Sequence, residues 1–168
     1  MDIIVYGSLG PEGAERALAY RLLETALRRE LGWEALPPMA RGARGKPYFP
    51  DHPGLHFNLS HSHGAAVCAL HHLPVGVDVE KLRSAPRRLA AGLGDEAFFR
   101  LWTAQEATIK REGRGVEALL RPLEPDGRCR CLPGLLPGCV VTVCPGEGAR
   151  TVRVEPEELP EGDFAVFL

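Results

Sequence analysis

The sequence predicts an α+β fold: two pseudo-duplicated lobes, each running strand, helix and antiparallel strands. Three observations carry this. A short apolar run opens the chain at Ile3. A helix-length apolar stripe and a set of short alternating strands follow it. The same order begins again at Val75. The two rounds share little sequence, so the repeat lies in element order. No linker composition separates them, and residues 1–74 and 75–168 are expected to form two lobes of one compact unit.

Asp2 to Gly7 reads as the opening strand. Pro11 to Leu31 reads as an amphipathic helix, with Ala14, Leu18, Leu22 and Ala26 at helical spacing, Pro11 in the first turn and Gly32 as the stop. Pro37, Pro38, Gly42 and Gly45 mark an irregular stretch. Leu55–Ser60, Ala65–His71 and Val75–Glu80 read as three strands of an antiparallel meander. Asp95 reads as the N-cap of a helix from Glu96 to Arg111, with Phe98, Leu101, Trp102, Gln105 and Ile109 inward and Gly113 at its end. Strands are expected at Arg128–Leu132, Cys139–Cys144, Thr151–Val154 and Phe164–Leu168.

The formal net charge is only -2, but it is unevenly spread. From Lys81 to Arg114 eight bases face four acids, which makes the middle locally positive and suited to a phosphorylated or acidic partner. Five cysteines form no Cys-x-x-Cys pair, and their odd number fits a reduced, cytoplasmic setting. Asp2 directly after Met1 argues against a signal peptide, and no apolar run approaches the roughly 20 residues that span a bilayer. No membrane and no nucleic-acid partner is expected.

The residues richest in chemistry lie on two segments. In Val75-Gly76-Val77-Asp78-Val79-Glu80, alternation puts Asp78 and Glu80 on one strand face. In Trp102-Thr103-Ala104-Gln105-Glu106-Ala107-Thr108-Ile109-Lys110, spacing by four aligns Trp102, Glu106 and Lys110. If strand and helix pack together, three carboxylates and an ammonium converge, and a hard divalent ion relieves such crowding. The competing reading makes Asp78 and Glu80 an exposed pair satisfied by Lys81 or Arg83, and Glu106–Lys110 a helix-surface ion pair.

The six histidines all lie between His52 and His72, in segments read as strands and turns, so a zinc helix is disfavoured. His56, Asn58 and Ser60 share a strand face, and Ser60-His61-Ser62 reads as a polar turn able to hold a phosphate. A Ser–His catalytic pair is disfavoured, because sequence neighbours seldom meet in that geometry. Gly45-Lys46-Pro47-Tyr48 offers close backbone approach to a ligand without being a P-loop.

Taken in order, Gly45-Lys46-Pro47-Tyr48-Phe49, Phe57-Asn58-Leu59-Ser60-His61-Ser62, Val75 to Glu80, Trp102 to Lys110 and Glu112-Gly113-Arg114-Gly115 resemble the 4'-phosphopantetheinyl transferases of the surfactin type. The resemblance implies two similar α+β lobes with coenzyme A and Mg2+, or Mn2+, in the cleft between them. It implies metal binding by Asp78, Glu80 and Glu106, with Glu106 also the general base. It implies that Lys110 contacts the pyrophosphate, that Ser60 and His61 hold coenzyme A phosphates, and that Gly45, Lys46 and Pro47 lie along the adenine. The implied reaction moves the phosphopantetheine arm to a serine of an acyl or peptidyl carrier protein, with a monomeric enzyme releasing adenosine 3',5'-bisphosphate. A non-catalytic coenzyme A binder and a metal-dependent phosphodiesterase are the alternatives.

The chain departs from the family pattern twice. The N-terminal lobe is short and lacks the basic segment before the first helix. Arg16, Arg21, Arg41 and Arg44 are the available substitutes for gripping the 3'-phosphate, and Arg16 lies nearest the helix motif. Only Lys81 to Leu101 separates Glu80 from the Trp102 segment, in a region that docks the carrier in the family.

Overall fold

A computed structural model describes residues 2–90, 92–115, 126–148 and 152–157. The elements in chain order are β1 (Ile3–Leu9), α1 (Glu15–Leu31), β2 (Ala40–Arg41), β3 (Pro47–Tyr48), β4 (His56–Ser62), β5 (Ala65–His71), β6 (Val75–Lys81), α2 (Arg87–Ala90), α3 (Asp95–Glu112), β7 (Arg130–Cys131), β8 (Cys139–Pro145) and β9 (Val152–Pro156). This is a mixed α+β arrangement. One sheet has the order β4-β5-β1-β9, a second has the order β6-β8-β7, and β2 and β3 form a small ribbon.

Period-two alternation along the strands builds the layers. On β1, Ile4 and Tyr6 join Leu18, Leu22, Leu23 and Leu27 of α1, together with Phe49, Phe57 and Cys68. The opposite residues, Ile3 and Val5, join Ala65, Val67 and Ala69 of β5 and meet Val75, Val77, Val79, Val141 and Val143 of the second sheet. A third cluster, Ala90, Phe98, Phe99 and Val140 with Trp102 against it, lies where α3 covers the second sheet. The layers therefore run α1, first sheet, second sheet, α3.

The three-strand meander is not formed. β4 and β5 pair antiparallel in full register from His56↔His71 to Ser62↔Ala65. β6 instead opens the second sheet and pairs antiparallel with β8. The reason is occupancy: β5 has β4 on one side and β1 on the other, so it has no free edge. Nor does the β4 strand end in a turn at Ser60-His61-Ser62. It continues through Ser62, and the reversal falls at His63 and Gly64, both with positive φ (45° and 79°), as a two-residue hairpin of the primed type requires.

Helix starts also differ from expectation. α1 begins at Glu15, after a turn over residues 12–13. The Glu15 carboxylate accepts from the Gly13 and Gly64 N–H groups at 2.8 Å each, which ties the β4–β5 hairpin to the helix start. Asp95 is not the cap of α3. The helix starts at Asp95 with Gly94 before it, and Asp95 Oδ1 accepts from the Ala85 N–H at 2.9 Å. The two-residue strands β2 and β3 and the single turn of α2 are too short to leave a periodicity in sequence. The strand expected at Phe164–Leu168 lies outside the described residues.

β9 pairs parallel with β1, so a late segment completes the first sheet. Ion pairs from Arg153 to Glu30 and from Glu157 to Arg29 fasten it to α1.

Gly76 sets the height of α3 above the second sheet. A Cβ there would lie 1.9 Å from the Ala107 carbonyl oxygen and 2.6 Å from the Arg111 nitrogen, both backbone atoms that cannot turn aside. Gly76→Ala should lower stability by about 3 kcal/mol through overpacking, read as a lower urea midpoint with an unchanged slope. An unaltered midpoint would show that α3 does not bear on this residue.

Candidate active site

β6 presents Val75, Val77 and Val79 to the first sheet and Gly76, Asp78 and Glu80 to the α3 side. Asp78 is 3% exposed, in the middle of the strand and opposite Thr142 of β8. Its Oδ1 accepts from Lys110 Nζ at 2.5 Å and from Ser60 Oγ at 2.7 Å. Lys110 Nζ also donates to Ser60 Oγ at 2.9 Å and lies 3.8 Å from Glu106 Oε2. Helix spacing by four, a Gly under the helix and strand alternation thus bring Ser60, Asp78, Glu106 and Lys110 together.

Glu80 lies to one side of this group. Its Oε2 accepts from Ser62 Oγ and Arg83 Nη1, both at 2.8 Å, and Arg83 in turn stacks 4.8 Å over the Phe99 ring. The sequence reading of Glu80 as a partner of Arg83 therefore describes one of its contacts. Its charge still acts on both Asp78 and Glu106.

β4 supplies more of the site than the sequence reading allowed. β6 is an edge strand of its sheet, so two of its N–H groups need partners from elsewhere. Asn58 Oδ1 accepts from the Val77 N–H at 2.8 Å, and Ser60 Oγ accepts from the Val79 N–H at 3.4 Å. Asn58 was expected only to share a strand face with Ser60, and Ser62 only to belong to a phosphate-holding turn; neither bond to β6 was expected. The available signal was matched spacing: Ser60 to Asp78 and Ser62 to Glu80 are both separated by 18 residues, as two strands side by side in the same direction require.

Lys46 is not stretched along open solvent. Its Nζ donates to the carbonyls of Lys110 at 2.7 Å, Arg111 at 3.3 Å and Val75 at 3.4 Å, which caps the end of α3 and ties the β2–β3 ribbon to it. Burial, with the Arg111 charge second, pulls its ammonium down to about 8. Gly45, with φ of 82°, and Pro47 frame this lysine in the ribbon. A cleft of about 430 Å³ opens beside it, lined among others by Arg44, Lys46, Pro47, Tyr48, His56 and Glu112. A second cleft of about 350 Å³ lies over β4 and is lined by Arg16, Tyr20, Arg41, Pro47, Asn58 and His61. His61 is held below the usual imidazole range, first by burial, with Glu15 opposing and the Lys110 and Arg16 charges adding.

Burial raises the carboxyl of Asp78, against the pull of Lys110 and Ser60. Burial, then the Asp78 charge, pushes Glu106 up to about 7, with Lys110 opposing. In this arrangement Lys110 supplies the positive charge among the acids. Among the described residues no three His, Cys, Asp or Glu side chains close on one point. The donors are nevertheless all oxygens, and Asp78 Oδ2 is buried with no hydrogen-bond partner among the described residues. An orphaned carboxylate oxygen beside two further acids fits a hard divalent cation. No helix among the described residues is long and apolar enough to cross a membrane.

A carboxyl raised on folding takes up protons with folding. Its stabilising contribution is full below its unfolded value near 4.5 and is lost as pH rises through about 7. Metal-free protein should therefore lose on the order of 2 kcal/mol between pH 5 and 8 from Glu106. Glu106→Gln should flatten that slope in urea titrations run at several pH values, and an identical slope in both proteins would contradict the burial of this carboxyl.

No family model matches the chain. It is 36% identical over 88 residues to 4'-phosphopantetheinyl transferase Sfp of Bacillus subtilis (strain 168), covering 43% of this chain and 39% of the relative. It is 38% identical over 111 residues to 4'-phosphopantetheinyl transferase HetI of a Nostoc species, covering 49% and 47%. It is 37% identical over 124 residues to 4'-phosphopantetheinyl transferase AcpT of Salmonella typhi, covering 61% and 62%. The chain thus spans about half the length of the curated relatives it matches. Over that part, its similarity is to the 4'-phosphopantetheinyl transferases, the family that its motifs resemble.

Proposed function

We propose that the protein transfers the 4'-phosphopantetheine arm of coenzyme A to a serine of an acyl or peptidyl carrier protein. The observation that carries this reading is the group of Ser60, Lys110 and Glu106 around the buried Asp78, in a chain similar to named 4'-phosphopantetheinyl transferases. The serine hydroxyl attacks the β-phosphorus of coenzyme A, and the bond to adenosine 3',5'-bisphosphate breaks. Glu106 accepts the hydroxyl proton, a task suited to a carboxylate raised to about 7. Lys110 turns from Asp78 toward the pyrophosphate and stabilises its charge. Asp78, Glu80 and Glu106 would hold Mg2+ or Mn2+, which supplies Lewis-acid neutralisation of the phosphate oxygens when bound. Ser60, beyond its bonds to Asp78 and Lys110, and His61 face the phosphates.

The two clefts divide the nucleotide. Gly45, Lys46 and Pro47 flank the larger, where the adenine lies, and the aliphatic stem of Lys46 lines it while the ammonium stays on α3. Arg16, Arg41 and His61 line the smaller, where the 3'-phosphate lies. Residues 1–74 and 75–168 form two pseudo-duplicated lobes, with β9 crossing to the first sheet. The supporting observation is strand order: each sheet places its first strand beside its last and the intermediate strand beyond, as β1-β5-β4 and as β6-β8-β7. The enzyme acts as a cytoplasmic monomer on coenzyme A and a carrier protein.

The test is mass spectrometry of an apo carrier protein incubated with coenzyme A, Mg2+ and this protein. The carrier should gain the mass of the arm, and excess EDTA should stop the gain. Glu106→Gln should slow transfer by at least about 100-fold with the fold intact by circular dichroism. Asp78→Ala should lower both the rate and the response to Mg2+. Coenzyme A cleaved without a carrier would favour a phosphodiesterase, and coenzyme A bound with no transfer would favour a binding protein.

A further inference from the structure

A thiol pair lies beneath α3. β7 pairs antiparallel with β8 through Arg130↔Val143 and Cys131↔Thr142, so the next residue outward, Cys129, stands opposite Cys144. The Leu132 N–H donates to the Val141 carbonyl at 2.8 Å, which makes that pair hydrogen-bonded. Alternation along an antiparallel ladder then makes 129/144 a non-hydrogen-bonded pair, the class with Cα atoms about 4.5 Å apart and the side chains closest. That separation lies at the near end of the range a disulfide spans, about 4.4–6.8 Å.

The side chains agree with the register. Thr108 Oγ1 of α3 lies 3.2 Å from Cys129 Sγ and 3.5 Å from Cys144 Sγ, so both thiols meet at one hydroxyl. Arg111 Nη1 donates to Cys144 Sγ at 3.0 Å, so a fixed positive charge faces the buried sulfur. Cys144 is fully buried, while Cys129 is partly exposed. One thiol can meet a small oxidant, and the other waits behind it.

We infer that Cys129 and Cys144 are a covalent modification site, closing a reversible cross-strand disulfide on exposure to a low-molecular-weight disulfide. Cys129 loses its proton and attacks one sulfur of the reagent RSSR, forming Cys129–S–S–R and expelling RS−, which takes up a proton. Cys144 loses its proton and attacks Cys129 Sγ, forming the Cys129–Cys144 bond and expelling the second RS−, which is protonated in turn. Two protein thiols are oxidised and one RSSR is reduced to two RSH. Arg111 favours the second attack by stabilising the Cys144 thiolate.

The test is intact-mass analysis of the full chain treated with oxidised glutathione. The protein should lose two hydrogens without retaining glutathione, and dithiothreitol should restore the mass. Fragment mapping should join residue 129 to residue 144. Cys144→Ser should keep one glutathione on Cys129, because nothing resolves the mixed disulfide. The Cys131→Ser/Cys139→Ser double variant should still lose two hydrogens. A mass loss abolished in that double variant, a stable glutathione adduct on the unmutated protein, or no change of mass at all would overturn the assignment.

Discussion

A carboxylate with almost no water around it organises this molecule. Asp78 sits in mid-strand, and its charge is tolerable there only because Lys110 and Ser60 bond one of its oxygens. Those two partners come from opposite directions, α3 on one side and β4 on the other. The interaction therefore requires that both the helix and the first sheet be in place. Removing either would leave a buried charge uncompensated, which costs far more than a surface pair contributes.

Placing α3 that low over the sheet is a steric matter. The strand offers a residue without a side chain at position 76, and the helix backbone occupies the space. Lys46 then holds the far end of the helix by its exposed carbonyls. The same helix carries Glu106, whose burial beside Asp78 keeps its proton affinity near neutrality. The chemistry proposed for the site thus rests on helix height as much as on the identity of the acids.

Much of this was legible in sequence where periodicity is strong. The apolar stripe of α1, the apolar runs of β1, β5 and β8 and the alternation of β6 match the observed elements. Alternation also places Asp78 and Glu80 on one face, and spacing by four aligns Glu106 with Lys110. What periodicity cannot report is which strand pairs with which. β6 looked like the third strand of a meander, because its apolar pattern is the same whether its neighbour is β5 or β8. The bonds from Lys46 to the end of α3 were not legible, because a lysine that caps a distant helix carries no local mark. The bonds of Asn58 and Ser62 were not legible for a related reason: their partners are a backbone N–H and a carboxylate 19 and 18 positions away.

The parallel pairing of β9 with β1 has a bearing on biosynthesis. β1 can acquire β5 early in translation, but its other edge waits for β9, made only after residue 150. Until then a run of apolar residues with open N–H and C=O groups faces the solvent or a chaperone. The N-terminal half can thus collapse around α1 during translation, yet its sheet is finished only by the last segment described here.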